Sequence, residues 1–157
     1  MTAPVPTSGR FEGAVHLFPV RVYFEDTDVS GVVYHANYLR WFDRARADML
    51  RLLGIEQRPV HDAGEGAYAV SEIAIRYAAP ARLDDAVMVR STAAELRRAS
   101  VRLDQAAWRD RTLLAEAKLR IAFVAPDGRP RRQPESWHSA IGMLNRSMSN
   151  NGNGAAP

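Results

Sequence analysis

Cysteine is absent from this chain, lysine nearly so, and no long apolar run occurs. Without cysteine there is no disulfide, no thiolate nucleophile and no thiolate metal ligand, a composition at home in a reducing cytoplasm. The apolar runs are a few residues long, far below the roughly 20 needed to span a bilayer, so no membrane span is expected. The opening MTAPVPTSGRFEG has no basic stretch followed by an apolar one, so no secretory signal is expected. Lys118 is the only lysine, and arginine supplies almost all of the positive charge behind a net +3. Basicity this slight and dispersed, with no aromatic-basic platform, argues against a nucleic-acid partner. Arginine does suit a phosphate-bearing ligand, which it binds bidentately. His16, His61 and His138 show no ligand spacing, so neither a metal site nor a cofactor is expected.

What is present is ordinary globular material: 157 residues, 46% hydrophobic and 25% charged, enough for one domain with a real core. Residues 1–14 carry Pro, Ser, Thr and Gly without a period and are expected to be disordered. The domain is expected over 15–137. A short helix over ESWHSAIGML (135–144) is read at its end, with a disordered tail closing the 138–157 segment.

HLFPVRVYF (16–24) reads as a strand, with Pro19 placing it early or at an edge. From Tyr38 the period becomes helical: Tyr38, Phe42, Ala45, Met49 and Leu52 make one apolar stripe, with Arg40, Asp43, Arg44, Asp48 and Arg51 opposite. Gly54 is the natural stop. After an irregular stretch (55–66) the pattern is β throughout: SEIAIRY (71–77), with Ser71, Ile73, Ile75 and Tyr77 on one face, then 85–96, 100–108 and 112–124. The connections RRA, RDR and PDG are of hairpin length. One strand, one long helix and four antiparallel strands make an α+β fold of about five strands, the helix burying its stripe on one sheet face. Strands this apolar need further cover, which a second subunit would supply.

The chemistry concentrates in YFEDTDVSGVVYHANY (23–38). A helix N-terminus offers unpaired N–H groups and the positive end of a dipole, which can hold a developing oxyanion. A carboxylate fixed nearby could attack a carbonyl or deprotonate water. Gly31 allows a tight turn and a close approach. Asp is also a favoured cap, and any single acid here has the bland reading of a cap or a solvated loop residue. On chemistry alone Glu25, Asp26 and Asp28 are equally eligible.

The run VRVYFEDTDVSGVVYHANYLRWFDRARADMLRLLG, followed in order by YAAPARLDDAVMV and LRRASVRLDQ, resembles the 4-hydroxybenzoyl-CoA thioesterase-like hotdog family. It is most similar to the branch of Tol–Pal-associated acyl-CoA thioesterases, over about residues 18–135. The resemblance implies a hotdog fold: a long central helix wrapped by an antiparallel sheet. It also implies edge-to-edge dimers with sites at the interface, commonly paired into homotetramers. The implied activity is hydrolysis of an acyl-CoA or carrier-protein thioester. A non-catalytic acyl-CoA-binding or assembly protein is the alternative on the same scaffold. By the same resemblance Asp28 is the catalytic carboxylate, as nucleophile or general base. The backbone N–H at His35 polarises the thioester carbonyl, and the His35 side chain supports Asp28 and substrate.

Gly31, Tyr34 and Asn37 are then candidates to line the substrate, although the better-supported reading of Asn37 is a helix cap. Arg97 and Arg98, at a hairpin turn, are candidates for the coenzyme A phosphates, as are Arg129, Arg131 and Arg132 more weakly. Tyr38 reads as helix core and Glu72 as a strand surface residue. Two departures from the family pattern stand in the loop: Val29 is bulkier than the usual residue after the Asp, and Ser30 replaces a common glycine. They point to a differently shaped turn, and Val29 with Tyr34 to a compact acyl pocket.

Overall fold

The stripe of Tyr38, Phe42, Ala45 and Met49, joined by Trp41, is buried along one helix, α1 (Asn37–Leu52). The structure is a computed structural model that describes residues 1–151, with side chains described to Asn145. Gly54 ends the helix at φ +77°, donating to the Arg51 carbonyl while the Ile55 N–H reaches back to the Leu50 carbonyl. This pair of bonds is how a left-handed glycine closes a helix, and buried Ile55 seals it against the core. Two positions depart from the expected faces. Leu52 is 42% exposed, because the 3.6-residue period carries the stripe from Met49 to Leu53 instead. Asp48, expected outside, is only 6% exposed, because the N-terminal segment folds back over it.

Six antiparallel strands make one sheet among the described residues: β1 (Arg10–Glu12), β2 (Val15–Arg21), β3 (Ala67–Tyr77), β4 (Ala86–Leu96), β5 (Ser100–Arg109) and β6 (Thr112–Val124). Their order is β1-β2-β4-β5-β6-β3. Val87, Val89 and Ala93 of β4, Val101, Leu103 and Ala107 of β5, and Ala115 to Phe123 at alternate positions of β6 face inward into one core with α1.

The sixth strand, β1, corrects the expectation that residues 1–14 lack structure. Gly13, at φ +59°, turns the chain so that Glu12 pairs with Val15. Three residues are too few to display an alternation. Ser8 and Gly9 continue the ordered segment by bonding the Asp48 carboxylate. The irregular stretch holds a short helix, α2 (Gln57–Asp62), whose six residues, with Pro59 among them, are too few to show a period. The terminal helix, α3 (Glu135–Asn151), runs beyond the expected 135–144 and buries Trp137, Ile141 and Leu144, so the domain does not end at 137. The rest of the expected tail, residues 152–157, lies outside the described residues.

β3 is an edge strand paired only with β6. A bulge between Val70 and Glu72 takes Ser71 out of the alternation, so Tyr68 and Val70 share the inward face with Ile73, Ile75 and Tyr77. Yet Val70 is 47% and Ile73 38% exposed. The apolar face of this edge is uncovered in a single chain. At the Tyr77 end of β3 the sheet meets the N-terminus of α1, and the acidic loop lies there.

Candidate active site

β2 runs out at Arg21, and the chain makes a single 3₁₀ turn over Phe24–Asp26. The Asp26 carboxylate accepts the Tyr23 N–H at 2.8 Å, so this acid holds its own turn. The Asp26 carbonyl accepts the Tyr34 N–H at 2.8 Å and the Asn37 side-chain amide at 2.7 Å, folding the loop against the helix start. Asn37 is therefore not the expected cap. It is the first helical residue, is buried, and spends its amide on the loop, while Ala36 occupies the cap position without a side-chain bond.

Between these ties lies a miniature hairpin. Thr27 bridges Val33, and the Asp28 N–H donates to Val32 at 3.1 Å. The Gly31 N–H donates to the Asp28 carbonyl at 3.0 Å, with Gly31 itself at φ +79°. Gly31 occupies the one left-handed position of the turn, where another residue would be strained. Ser30 is not left-handed, so its replacement of a glycine costs the backbone nothing. Instead its hydroxyl and its N–H, the latter at 2.8 Å, both donate to Asp28 Oδ1. The Ser30 hydroxyl first, then its N–H, hold Asp28 below the usual carboxylate range, with the His35 imidazole adding a smaller pull against slight desolvation. Asp28 is an ionised, exposed carboxylate whose Oδ2 meets no protein donor among the described residues.

Tyr34 and His35 follow, ring centroids 4.5 Å apart. The Tyr34 carbonyl accepts the Asn37 N–H at 2.9 Å, whereas the His35 N–H meets no protein acceptor among the described residues. The segment from the end of β3 grips this stretch at three points. Ala81 accepts the Val33 N–H at 2.9 Å, Ala81 donates to the Tyr38 hydroxyl at 3.1 Å, and the Tyr77 hydroxyl donates to the His35 carbonyl at 2.9 Å. Arg109 braces the segment by donating to Pro80 and Asp85. Tyr38 is buried core, as its place in the stripe predicted, and burial pushes its phenol up.

One chain thus gathers Asp28, Gly31, Tyr34 and His35 within a single loop. It does not bring Arg97 and Arg98 to them. These lie in the β4–β5 turn, at the far end of an 11-residue strand, roughly 30 Å away at about 3.3 Å per residue. Arg97 is also paired with Glu95 at 2.9 Å. Glu25 is exposed on the outside of the 3₁₀ turn, and Glu72 sits mid-edge, 3.9 Å from Arg120. A groove of about 1550 Å³ follows the outer sheet face past Met88, Arg90 and Trp108. It reaches Glu25 and Asp26 but not Asp28, Tyr34 or His35.

Residues 30–116 match the family model of the Thioesterase superfamily (4HBT), just over half of the chain. The chain belongs to the thioesterase superfamily. It is 42% identical over 107 residues to the acyl-CoA thioesterase YbgC of Haemophilus influenzae, covering 68% of this chain and 79% of that one. It is 40% identical to the acyl-CoA thioester hydrolase YbgC of Escherichia coli O157:H7, over 76% of this chain and 90% of that one. The crystal structure of a probable thioesterase from Bartonella henselae superposes with TM-score 0.74 at 35% identity, covering 77% of this chain and all of that one. The family and the branch read from the Asp-Thr-Asp and Gly-Val-Val-Tyr-His elements are borne out, and the sheet wrapped on one long helix is the hotdog fold. The chain is an enzyme of the thioester hydrolase class. Tyr77 touches this candidate site, and the sequence marked it only as a strand-face residue. Its contact with His35 spans 42 positions, a distance no periodicity reports.

Proposed function

We propose that this chain hydrolyses acyl-CoA thioesters, with Asp28 as the reacting carboxylate and the His35 N–H polarising the thioester carbonyl. The observation that carries the reading is a hydrogen-bonded loop that holds an ionised carboxylate and, seven residues on, an N–H with no acceptor among the described residues, at the mouth of a helix. As general base, Asp28 takes a proton from water while the hydroxyl adds to the carbonyl carbon. As nucleophile, its oxygen adds directly, and water later cleaves the mixed anhydride. In both routes the C–S bond breaks, and the electron pair leaves with sulfur. A thiol of pKa near 8.5 needs little acid help to leave. In both, the carbonyl oxygen gains charge that the His35 N–H and the helix dipole stabilise. Covering the site with substrate would strip water from Asp28 and raise its basicity toward the task.

The exposed loop lacks walls in one chain, and a second copy along β3 would supply them. Antiparallel pairing of two β3 edges places the Ala67 end of one copy beside the Tyr77 end of the other. The Ala67 end pairs with Val124, next to the β4–β5 turn. The Arg97 and Arg98 of a partner would then approach this chain's Asp28, where a coenzyme A phosphate would lie. The geometry that separates these residues within one chain supports bringing them together in two.

The test is thiol release from short, long and aromatic acyl-CoAs, with wild type beside Asp28→Asn. Loss of the general base or nucleophile should cost at least ~10²-fold in turnover while the variant stays folded. Equal turnover in both would remove Asp28 from the mechanism. No turnover by wild type on any acyl-CoA would favour a carrier-protein thioester or a binding role.

A further inference from the structure

We propose that Tyr77 is a positioning residue for this reaction, its hydroxyl holding the His35 backbone so that the His35 N–H stays aimed at the thioester carbonyl. The inference rests on the reading of Asp28 and His35 given above.

Two peptide groups flank the His35 Cα. The first, which carries the His35 N–H, is held through the Tyr34 carbonyl by the Asn37 N–H at 2.9 Å. The second, which carries the His35 carbonyl, is held by Tyr77 at 2.9 Å. Among the described residues this is the one side-chain hydrogen bond made to His35. With both peptides tied, the dihedrals of His35 are fixed from either side. With the second released, the N–H can swing about a single remaining tie. A donor that must meet charge developing on an oxygen acts through its prior orientation, and a small misplacement is costly.

The anchor is well placed for this duty. Tyr77 is the last residue of β3, in register with Ala115 of the neighbouring strand β6, so the sheet fixes its Cα. Its ring lies edge-on to both the His35 ring, at 6.2 Å, and the buried Tyr38 ring, at 5.6 Å. These contacts limit the directions in which the phenol can point. Partial desolvation raises its pKa above the usual phenol value, so the hydroxyl keeps its proton and remains a donor. The bond is exposed, and an exposed neutral hydrogen bond adds little to stability. Its worth lies in the direction it imposes.

Tyr77→Phe removes the oxygen and leaves the ring contacts in place. The measurement is kcat and KM separately on the best acyl-CoA, with melting temperature and oligomeric state, beside wild type and Asp28→Asn. The expected result is a fall of about tenfold in kcat with KM within about twofold and stability and assembly unchanged, since the lost orientation is felt in the transition state. An unchanged kcat in Tyr77→Phe, with Asp28→Asn inactive, would overturn the assignment of Tyr77 and leave that of Asp28 standing. A loss accompanied by dissociation or a lowered melting temperature would also overturn it, making Tyr77 a structural residue. A wild type inactive on every thioester would bring down the reading of the site and the role of Tyr77 with it.

Discussion

At the scale of single residues, Ser30 governs the charge of Asp28. Two donors from one residue meet Oδ1, and both favour the ionised form. Ser30→Ala removes the hydroxyl and keeps the N–H, so the carboxylate should titrate at a higher pH than in wild type. In the proposed mechanism the reactive form is the ionised one, so the acidic limb of the pH–rate profile should move upward. A kcat/KM profile of Ser30→Ala against wild type checks this, and coincident limbs would mean that Ser30 shapes the turn without tuning the acid. The family resemblance singled out Asp28, but no residue type pointed to this partnership. Ser30 stood there as a departure that could strain the turn, because φ is not visible in residue types. Asn37 shows the same limit: Asn before a helix has several partners within reach, and the one taken, the Asp26 carbonyl, exists only once the loop has folded.

At the scale of elements, the N-terminal segment is fastened to α1 by a buried acid. Asp48 accepts the Ser8 hydroxyl at 2.8 Å, the Gly9 N–H at 2.9 Å, Arg51 at 2.7 Å and His16 Nε2 at 2.7 Å. A Cβ on Gly9 would meet the Leu17 carbonyl at 2.2 Å, so only glycine lets the strand pass. Burial pushes the Asp48 carboxyl up, but the bonds from Ser8, His16, Gly9 and Arg51 outweigh it and hold the pKa below 3.8. A carboxylate depressed on folding stabilises above its unfolded value of 3.8 and loses that contribution as the pH falls through the folded value. The clasp should therefore hold at neutral pH and give way only below about pH 4. Asp48→Ala should lower stability by about 1.5–3 kcal/mol, the range for hydrogen bonds to a charged group. Proteolysis in the first 14 residues should then rise at neutral pH, which limited digestion with mass readout would show. Elements with a period were legible in advance: α1 with its Gly54 stop, and the long strands β4 to β6. β1 and α2 were not, because three and six residues carry too little pattern. The bulge at Ser71 was hidden because it preserves apolar content while changing which residues share a face.

At the scale of the whole molecule, the apolar edge is the feature still to be satisfied. Val70, Ile73 and Tyr77 line the inward face of β3 and are 47%, 38% and 43% exposed, on a strand with free backbone groups along one side. Edges of this kind template pairing with another chain. Ile73 is near the strand's midpoint, where a charge would fall between two copies related by a two-fold axis, with its counterpart close by. If two copies pair along β3 as proposed, Ile73→Glu should shift the protein toward monomer, read by light scattering on a sizing column. Its effect inside one chain should be small, since the side chain is already partly in water and Leu119 opposite it keeps its inner neighbours. If the site is built by two copies, turnover should fall at least about tenfold with dissociation and recover at high protein concentration, as mass action requires. A monomeric Ile73→Glu with full turnover would show that one chain carries a complete site and that the partner's Arg97 and Arg98 are not needed.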